Sequence, residues 1–430
     1  MPALFRASGL PIVRAFMKLR LLSVFALLVG GPLACAAPAY QQIDLPPHLY
    51  HQRTPADRFT RLKDDLESGR IALDRSSERD FVISLLRALE VPVSSQMLVF
   101  STTSLQLRLI TPSNPRALYF TDDLYVGYIP GGRVEIVSLD PELGAIFYIF
   151  DIPRGGANVR VERSQRCMNC HSAEDTGFVP GLVMKSVVPG LRGGSLAAYR
   201  QEQTGHGIPF KDRFGGWYVT GKHSIAEHWG NAIGRYVEGK FSKSPIELGK
   251  AFDFARYPAA TSDILPQLLL EHQAGFVNRV VEASYRARTA LHAGQGRLDD
   301  VQNRELDEQA RLVTRYLLFA DEVPLPAGGV EGDSAFKSDF LRHRRVATGD
   351  ASLKDFDLTT RLFRNRCSYM IYSPIFQGLP AEMKQRIYAT LKIALDSKKQ
   401  DADYAYLPAS EKQSIRGILR ATLSDLPPGW

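Results

Sequence analysis

One stretch of the sequence specifies a chemistry by residue type and spacing: Arg166-Cys167-Met168-Asn169-Cys170-His171. Two thiols three positions apart can each add to one vinyl group of a single haem, and the imidazole that follows is then held under the ring within reach of the iron. A zinc site needs a second ligand pair, and Cys367 stands alone. A redox dithiol has no use for the histidine, and no βαβ pattern flanks the motif. The expected cofactor is one covalent haem c with its iron, held by Cys167, Cys170 and His171.

What lies across the iron decides the function. Met168 sits between the attachment cysteines and cannot reach the far side, while Met184 and Met370 fall in apolar patterns that read as core. His206, His223 and His228 fall within 23 residues, together with Trp217 and Trp229. The first choice for a distal metal ligand or acid-base group is His223, with His228 second; these two are the catalytic candidates. In Gly215-Gly216-Trp217-Tyr218 paired glycines permit close approach to a flat ring, which makes Trp217 and Tyr218 candidates for covering it. The alternative is an ordinary hairpin with a buried tryptophan. Cys367 lies on an apolar stripe and reads as a small buried core residue, against the alternative of a reactive thiol.

The pentapeptide resembles the haem-attachment motif of c-type cytochromes, which implies thioether bonds at Cys167 and Cys170 and proximal ligation by His171. Over a wider span, Leu124 to Tyr128, the motif, Val179 to Leu182, Gly215 to Gly221 and Cys367 to Tyr372 resemble stretches of a group of large bacterial single-haem proteins without an assigned activity. That resemblance covers most of the mature chain. The motif follows β-rich sequence rather than the N-terminal helix of ordinary small cytochromes c. In this it is similar to the small β-sheet cytochromes that bind nitric oxide or oxidise hydroxylamine, whose tail His171 to Val179 also resembles.

The elements that must carry these residues change character along the chain. Ser77 to Leu89 has the 3.6-residue period of an amphipathic helix. Short β-branched and aromatic runs follow at Met97–Ser101, Leu105–Ile110, Ala117–Thr121, Tyr125–Ile129, Val134–Leu139, Ile146–Phe150 and Ala157–Glu162, separated by turn signals such as Pro130-Gly131-Gly132. They predict an antiparallel meander ending at the motif, with further strand at Gly181–Val188 and Trp217–Thr220. From about Pro245 the period is helical: Phe276 to Ala290, Leu306 to Leu317, Phe356 to Met370, and Ile387 with Leu391. The fold class is α+β, a β-rich haem-bearing N-terminal part (38–244) followed by an α-helical C-terminal part (245–430). There is no internal repeat and no second haem motif.

Arg6, Arg14, Lys18 and Arg20 precede an apolar run from Leu21 to Val29 and a small-residue stretch ending Ala34-Cys35-Ala36-Ala37, which reads as an export signal over 1–36, with Met17 an alternative start. Leu33-Ala34-Cys35 also resembles a lipoprotein cleavage site, so a lipid anchor at Cys35 is the alternative to cleavage after Ala36 or Ala37. The expected location is the periplasm or another extracytoplasmic space, with no transmembrane span. Those four basic residues carry much of the net charge of +7; beyond them 49 basic residues face 46 acidic ones, so a nucleic-acid partner loses most of its support and none is expected. The expected function is redox chemistry by an exported c-type haem protein, an oxidoreductase of the peroxidase, oxygenase or nitrogen-oxide-handling kind. A monohaem electron-transfer protein and a haem-based gas or redox sensor are the alternatives. Partners are a periplasmic redox protein or a small-molecule oxidant or reductant. The chain is far longer than the roughly one hundred residues that a simple domain needs, which favours the enzyme. A charge in the apolar run should block export: Leu27→Arg is expected to leave the protein in the cytoplasm, checked by cell fractionation.

Overall fold

The computed structural model describes residues 37–155, 157–198, 205–398 and 401–430; the leader expectations, Cys35 included, lie outside the described residues. Alternating β-branched and aromatic residues form β1 (Met97–Val99), β2 (Arg116–Phe120), β3 (Leu124–Tyr128), β4 (Val134–Asp140) and β5 (Gly144–Phe150), an antiparallel meander extended by the short β6 (Glu162–Arg163). Two further hairpin strands, β7 (Val187–Pro189) and β8 (Ser195–Ala198), come next. Then β9 (Trp217–Tyr218) returns to the free edge of β1, completing a seven-stranded sheet of order β6-β5-β4-β3-β2-β1-β9. An exposed hairpin, β10 (Ala232–Val237) with β11 (Lys240–Pro245), ends the strand-rich part.

Strand pairing divides the side chains between two faces. Tyr119, Tyr128 and Tyr148 point to one, covered by α1 (Arg58–Glu67) and α2 (Glu78–Ala88); the Phe59 ring of α1 lies 4.8 Å from that of Tyr148, tilted by 52°. Asp57 caps α1 and Ser77 caps α2, each accepting from backbone N–H groups of the first turn. Arg116, Tyr125, Gly127, Glu135, Phe147 and Trp217 share the opposite face. That face is covered by a single helical turn, α3 (Met168–His171), and by the long α4 (Ile264–Ala293), whose Gln273 Oε1 accepts from the Tyr125 hydroxyl at 3.0 Å. The remaining helices are α5 (Asp300–Leu317), α6 (Ser334–Leu341), α7 (Pro374–Gln377), α8 (Ala381–Ala394) and α9 (Ala409–Thr422). α5 packs against α4 and α8. The architecture is mixed α+β, strands mainly before residue 245 and helices mainly after, and one apolar core runs through both from Tyr40 to Trp430. No described helix is long and apolar enough to cross a membrane.

Two expected elements form differently. Leu105–Ile110 alternates like a strand but is a run of turns, because β1 is already paired on both edges, with β2 and β9, and leaves no ladder to join. Phe356–Met370 has helical spacing but is irregular. Asp357 accepts from the N–H groups of Thr359 and Thr360, closing a tight turn that sets Phe356 against Phe363 at 5.6 Å, and their neighbour Phe340 stacks 5.1 Å from Phe356. The spacing there reflects an aromatic cluster, not a helix face. Strand structure is also shorter than expected near the motif: β6 begins only at Glu162 and β7 at Val187.

Below α4 the core holds charge. Arg213 Nη1 lies 3.0 Å from Glu271 Oε2, and the same side chain donates from Nη2 to the His206 carbonyl at 2.8 Å and from Nε to the Ile208 carbonyl at 2.6 Å. Next to it runs a buried chain. His206 donates through Nε2 to the Ala320 carbonyl at 3.2 Å, its Nδ1 accepts from His272 at 2.8 Å, and His272 Nε2 accepts from the Ser368 hydroxyl at 2.7 Å. Every atom of that chain is satisfied with both rings neutral, and burial pushes His206 down to about 3. His206, one of the three histidines clustered in sequence, is buried and stacked on Tyr316 and Phe319. Removing one partner of the ion pair strands a buried charge. Arg213→Ala is expected to lower stability by about 3–5 kcal/mol, read from the midpoint of urea unfolding.

Candidate haem site

The motif is delivered to the sheet by the strand before it: Ser164 N–H donates to the Phe147 carbonyl at 2.9 Å, so the chain leaves β6 pinned to β5. The turn then closes tightly, with Cys170 and His171 N–H groups both donating to the Cys167 carbonyl at 3.2 and 3.0 Å. Met168 is buried and anchors the turn, which leaves Cys167 half-buried and Cys170 exposed, both as free thiols. The two attachment candidates are therefore side by side on one open turn.

His171 is fixed from two directions. Its ring lies 4.5 Å from Phe147 at 48°. Its Nδ1–H donates to the Gly181 carbonyl at 2.9 Å, while the Gly181 N–H donates back to the His171 carbonyl at 2.9 Å. A carbonyl only accepts, so the proton sits on Nδ1 and the Nε2 lone pair is left to bind a metal. Burial lowers His171 to about 4, which keeps that lone pair available at neutral pH. The Gly181 segment is held in turn by α4: Asn278 accepts from Leu182 N–H at 2.8 Å and donates to the Leu182 carbonyl at 2.9 Å.

Beside this turn the sheet carries a charged pair that the sequence reading passed over. Arg116 Nη2 lies 2.7 Å from Glu135 Oε2, both side chains about 15% exposed. Ser104 and Gln106 also donate to Glu135, at 2.6 and 3.0 Å. The pair acts electrostatically on both His171 and Cys167. The loop that supplies Ser104 and Gln106 holds Leu105, Leu107 and Leu109 in solvent at 39%, 52% and 38% exposure. Leucines so exposed on adjoining turns mark a surface suited to an apolar group.

These features fit a covalent haem. Two thiols and an imidazole with a free Nε2 lie on one turn, with exposed apolar side chains on the loop that reaches Glu135. Among the described residues no three His, Cys, Asp or Glu side chains converge as a ligand set. A metal at His171 would thus rest on one protein ligand, as suits an iron already held by four ring nitrogens.

The distal candidates His223 and His228 come together, ring centres 5.3 Å apart. His223 lines a cavity of about 440 Å³ with Lys222, Ser224, Lys337 and Thr359. His228 stands edge-on to Phe214, and its Nδ1 accepts from Gly230 N–H at 3.0 Å. Burial lowers both rings, His228 to about 4. Among the described residues no hydrogen bond, ion pair or ring contact joins either to His171, Cys167 or Cys170.

Trp217 and Tyr218 part company because neighbouring strand residues face opposite ways. Trp217 is on the Arg116 face and donates from Nε1 to the Lys185 carbonyl at 2.9 Å, which ties β9 to the run that begins at Gly181. Tyr218 turns to the other face, where its hydroxyl donates to the Pro112 carbonyl at 2.8 Å and its ring packs on Phe100 and Phe252, so it is a core residue and not a haem contact. The paired glycines serve backbone packing. A Cβ on Gly215 would meet the Val187 carbonyl oxygen at 2.0 Å, and one on Gly216 the Ser101 Cβ at 2.4 Å.

Met184 is packed against the core outside any strand, and Met370 is fully buried. Arg116, Glu135, Gly181 and Asn278 adjoin the candidate site, and spacing did not reveal them. The available signals were Gly127, a glycine inside a strand that marks close approach, and Glu135 beside it in the ladder.

Cys367 is fully buried, and burial raises its thiol far above the usual range. It should resist a thiol reagent in the native protein and react only after denaturation; rapid labelling of the native protein would contradict its position. No protein-family model, curated protein or solved structure matches the chain.

Proposed function

We propose that the chain is an exported c-type haem protein working in redox chemistry, as an oxidoreductase. The observation that carries this reading is the reciprocal pair of hydrogen bonds between His171 and Gly181, which leaves Nε2 of a neutral imidazole uncommitted beside two free thiols. Cys167 and Cys170 would hold the ring, and His171 would ligate the iron from one side. The haem supplies one-electron chemistry and, where its second axial position is open, a place for a small ligand.

What the protein contributes is position and electrostatics. Gly181 and Asn278 set the orientation of the imidazole and keep its proton on Nδ1. Phe147 stops the ring from tilting toward the sheet. Arg116 and Glu135 place two opposite charges next to an otherwise apolar surface, more apparatus than simple carriage of an electron requires, and this favours turnover of a small oxidant or reductant. A monohaem electron-transfer protein is the second reading, favoured by the exposed position of Cys170, at which a haem attached there would be reachable by a partner.

The denatured polypeptide should retain one haem through thioether bonds, and Cys167→Ser together with Cys170→Ser should abolish that retention. Haem that extracts into acidified organic solvent from the unaltered protein overturns the reading. His171→Ala should shift the Soret band with the thioethers intact. Carbon monoxide binding by the ferrous protein supports turnover, whereas complete refusal of carbon monoxide supports electron transfer.

A further inference from the structure

The sheet under the motif has one feature that the attachment chemistry does not use. Glu135 pairs with Ile149 across the ladder, so Phe147 is its diagonal neighbour on the same face, at the ~7–8 Å typical of such positions. His171 leans on that same Phe147. Arg116 reaches Glu135 from two strands away by lying across Gly127, where a Cβ would come within 2.9 Å of the Arg116 Nε. The missing side chain at Gly127 is therefore what lets the guanidinium cross the sheet. Glu135 is further held by Ser104 and Gln106, so neither charge is free to swing into solvent.

Resting on the covalent-haem reading above, we propose that Arg116 and Glu135 form a fixed pair of opposite charges, each of which shifts the reduction potential of an iron held by His171 in its own direction while its partner offsets the shift. Reduction adds one electron to the iron and changes its charge by one unit. No bond is made or broken in the protein, and no proton moves to either side chain. A nearby negative charge favours the ferric state and a nearby positive charge the ferrous state. With both present the two effects oppose each other. Removing one must therefore move the potential one way, and removing the other must move it the opposite way, a signature that packing damage does not produce.

The test is redox titration of the purified, haem-loaded protein with dyes and dithionite, followed by its visible spectrum. Glu135→Gln leaves Arg116 uncompensated and should favour the ferrous state by about tenfold, ~59 mV upward for one electron. Arg116→Gln should favour the ferric state by a similar factor, and the double variant should return close to the unaltered protein. Arg116→Lys keeps the charge and should stay within about twofold. Should a neutral variant fail to fold, Glu135→Asp, which withdraws the carboxylate by one methylene, should shift the potential in the same direction as Glu135→Gln by less. Single variants that move the potential in the same direction, or by less than about twofold, overturn the proposal while the haem remains covalently attached. Absence of covalent haem from the unaltered protein is the separate failure of the underlying reading.

Discussion

A neutral imidazole has one proton and one lone pair, and a hydrogen bond that commits the first leaves the second free. In this protein that commitment is made by the Gly181 carbonyl to His171. Its acceptor belongs to the main chain, so its position depends on backbone placement alone. That placement comes from Asn278 in the middle of α4, which grips both polar atoms of Leu182. The long helix is thereby part of the site, although it lies far from the motif in sequence. The sheet contributes through β5, where Phe147 limits the ring on its other side. Two layers of the fold thus converge on one side chain, which explains why a single helical turn can carry a precise orientation.

The interior makes a second demand. Arg213, Glu271, His206 and His272 are buried polar groups, and such groups are costly unless every donor and acceptor is matched. They are matched here by backbone carbonyls as well as by each other. The result joins the middle of α4 to the segment before β9 and to Ser368. The same helix that orients His171 is thereby locked in position by polar contacts with strict geometry, where apolar packing would tolerate sliding.

Much of this was legible in the sequence, and the remainder was hidden for physical reasons. The meander from β2 to β5 and the helices α2, α4, α5 and α8 are local patterns that one stretch of chain specifies. Leu105–Ile110 misled because alternation describes a strand only where an edge is open to receive it. Phe356–Met370 misled because an aromatic cluster can satisfy helical spacing without a helix. His223 and His228 attracted notice through proximity in sequence, and their rings do meet, but the cavity beside His223 draws Lys337 and Thr359 from far along the chain, which no local spacing announces. Glu135 looked like an ordinary outward residue of an alternating strand. Its pairing with Arg116 depends on a register between strands and on one absent side chain at Gly127, neither of which a single segment encodes.

The order of the elements along the chain has a consequence in time. A chain emerges N-terminus first, whether from a ribosome or across a membrane, and the meander pairs only neighbours in sequence, so it can close once β5 has emerged. The turn with Cys167 and Cys170 follows at once. The parts that hold the imidazole, first Gly181 and only much later α4, are still to come. There is thus an interval in biogenesis when both thiols are displayed on a formed sheet while the enclosure behind them is unfinished. Were the haem proposed above attached in that interval, the late arrival of α4, through Asn278 and Leu182, would close the site behind it.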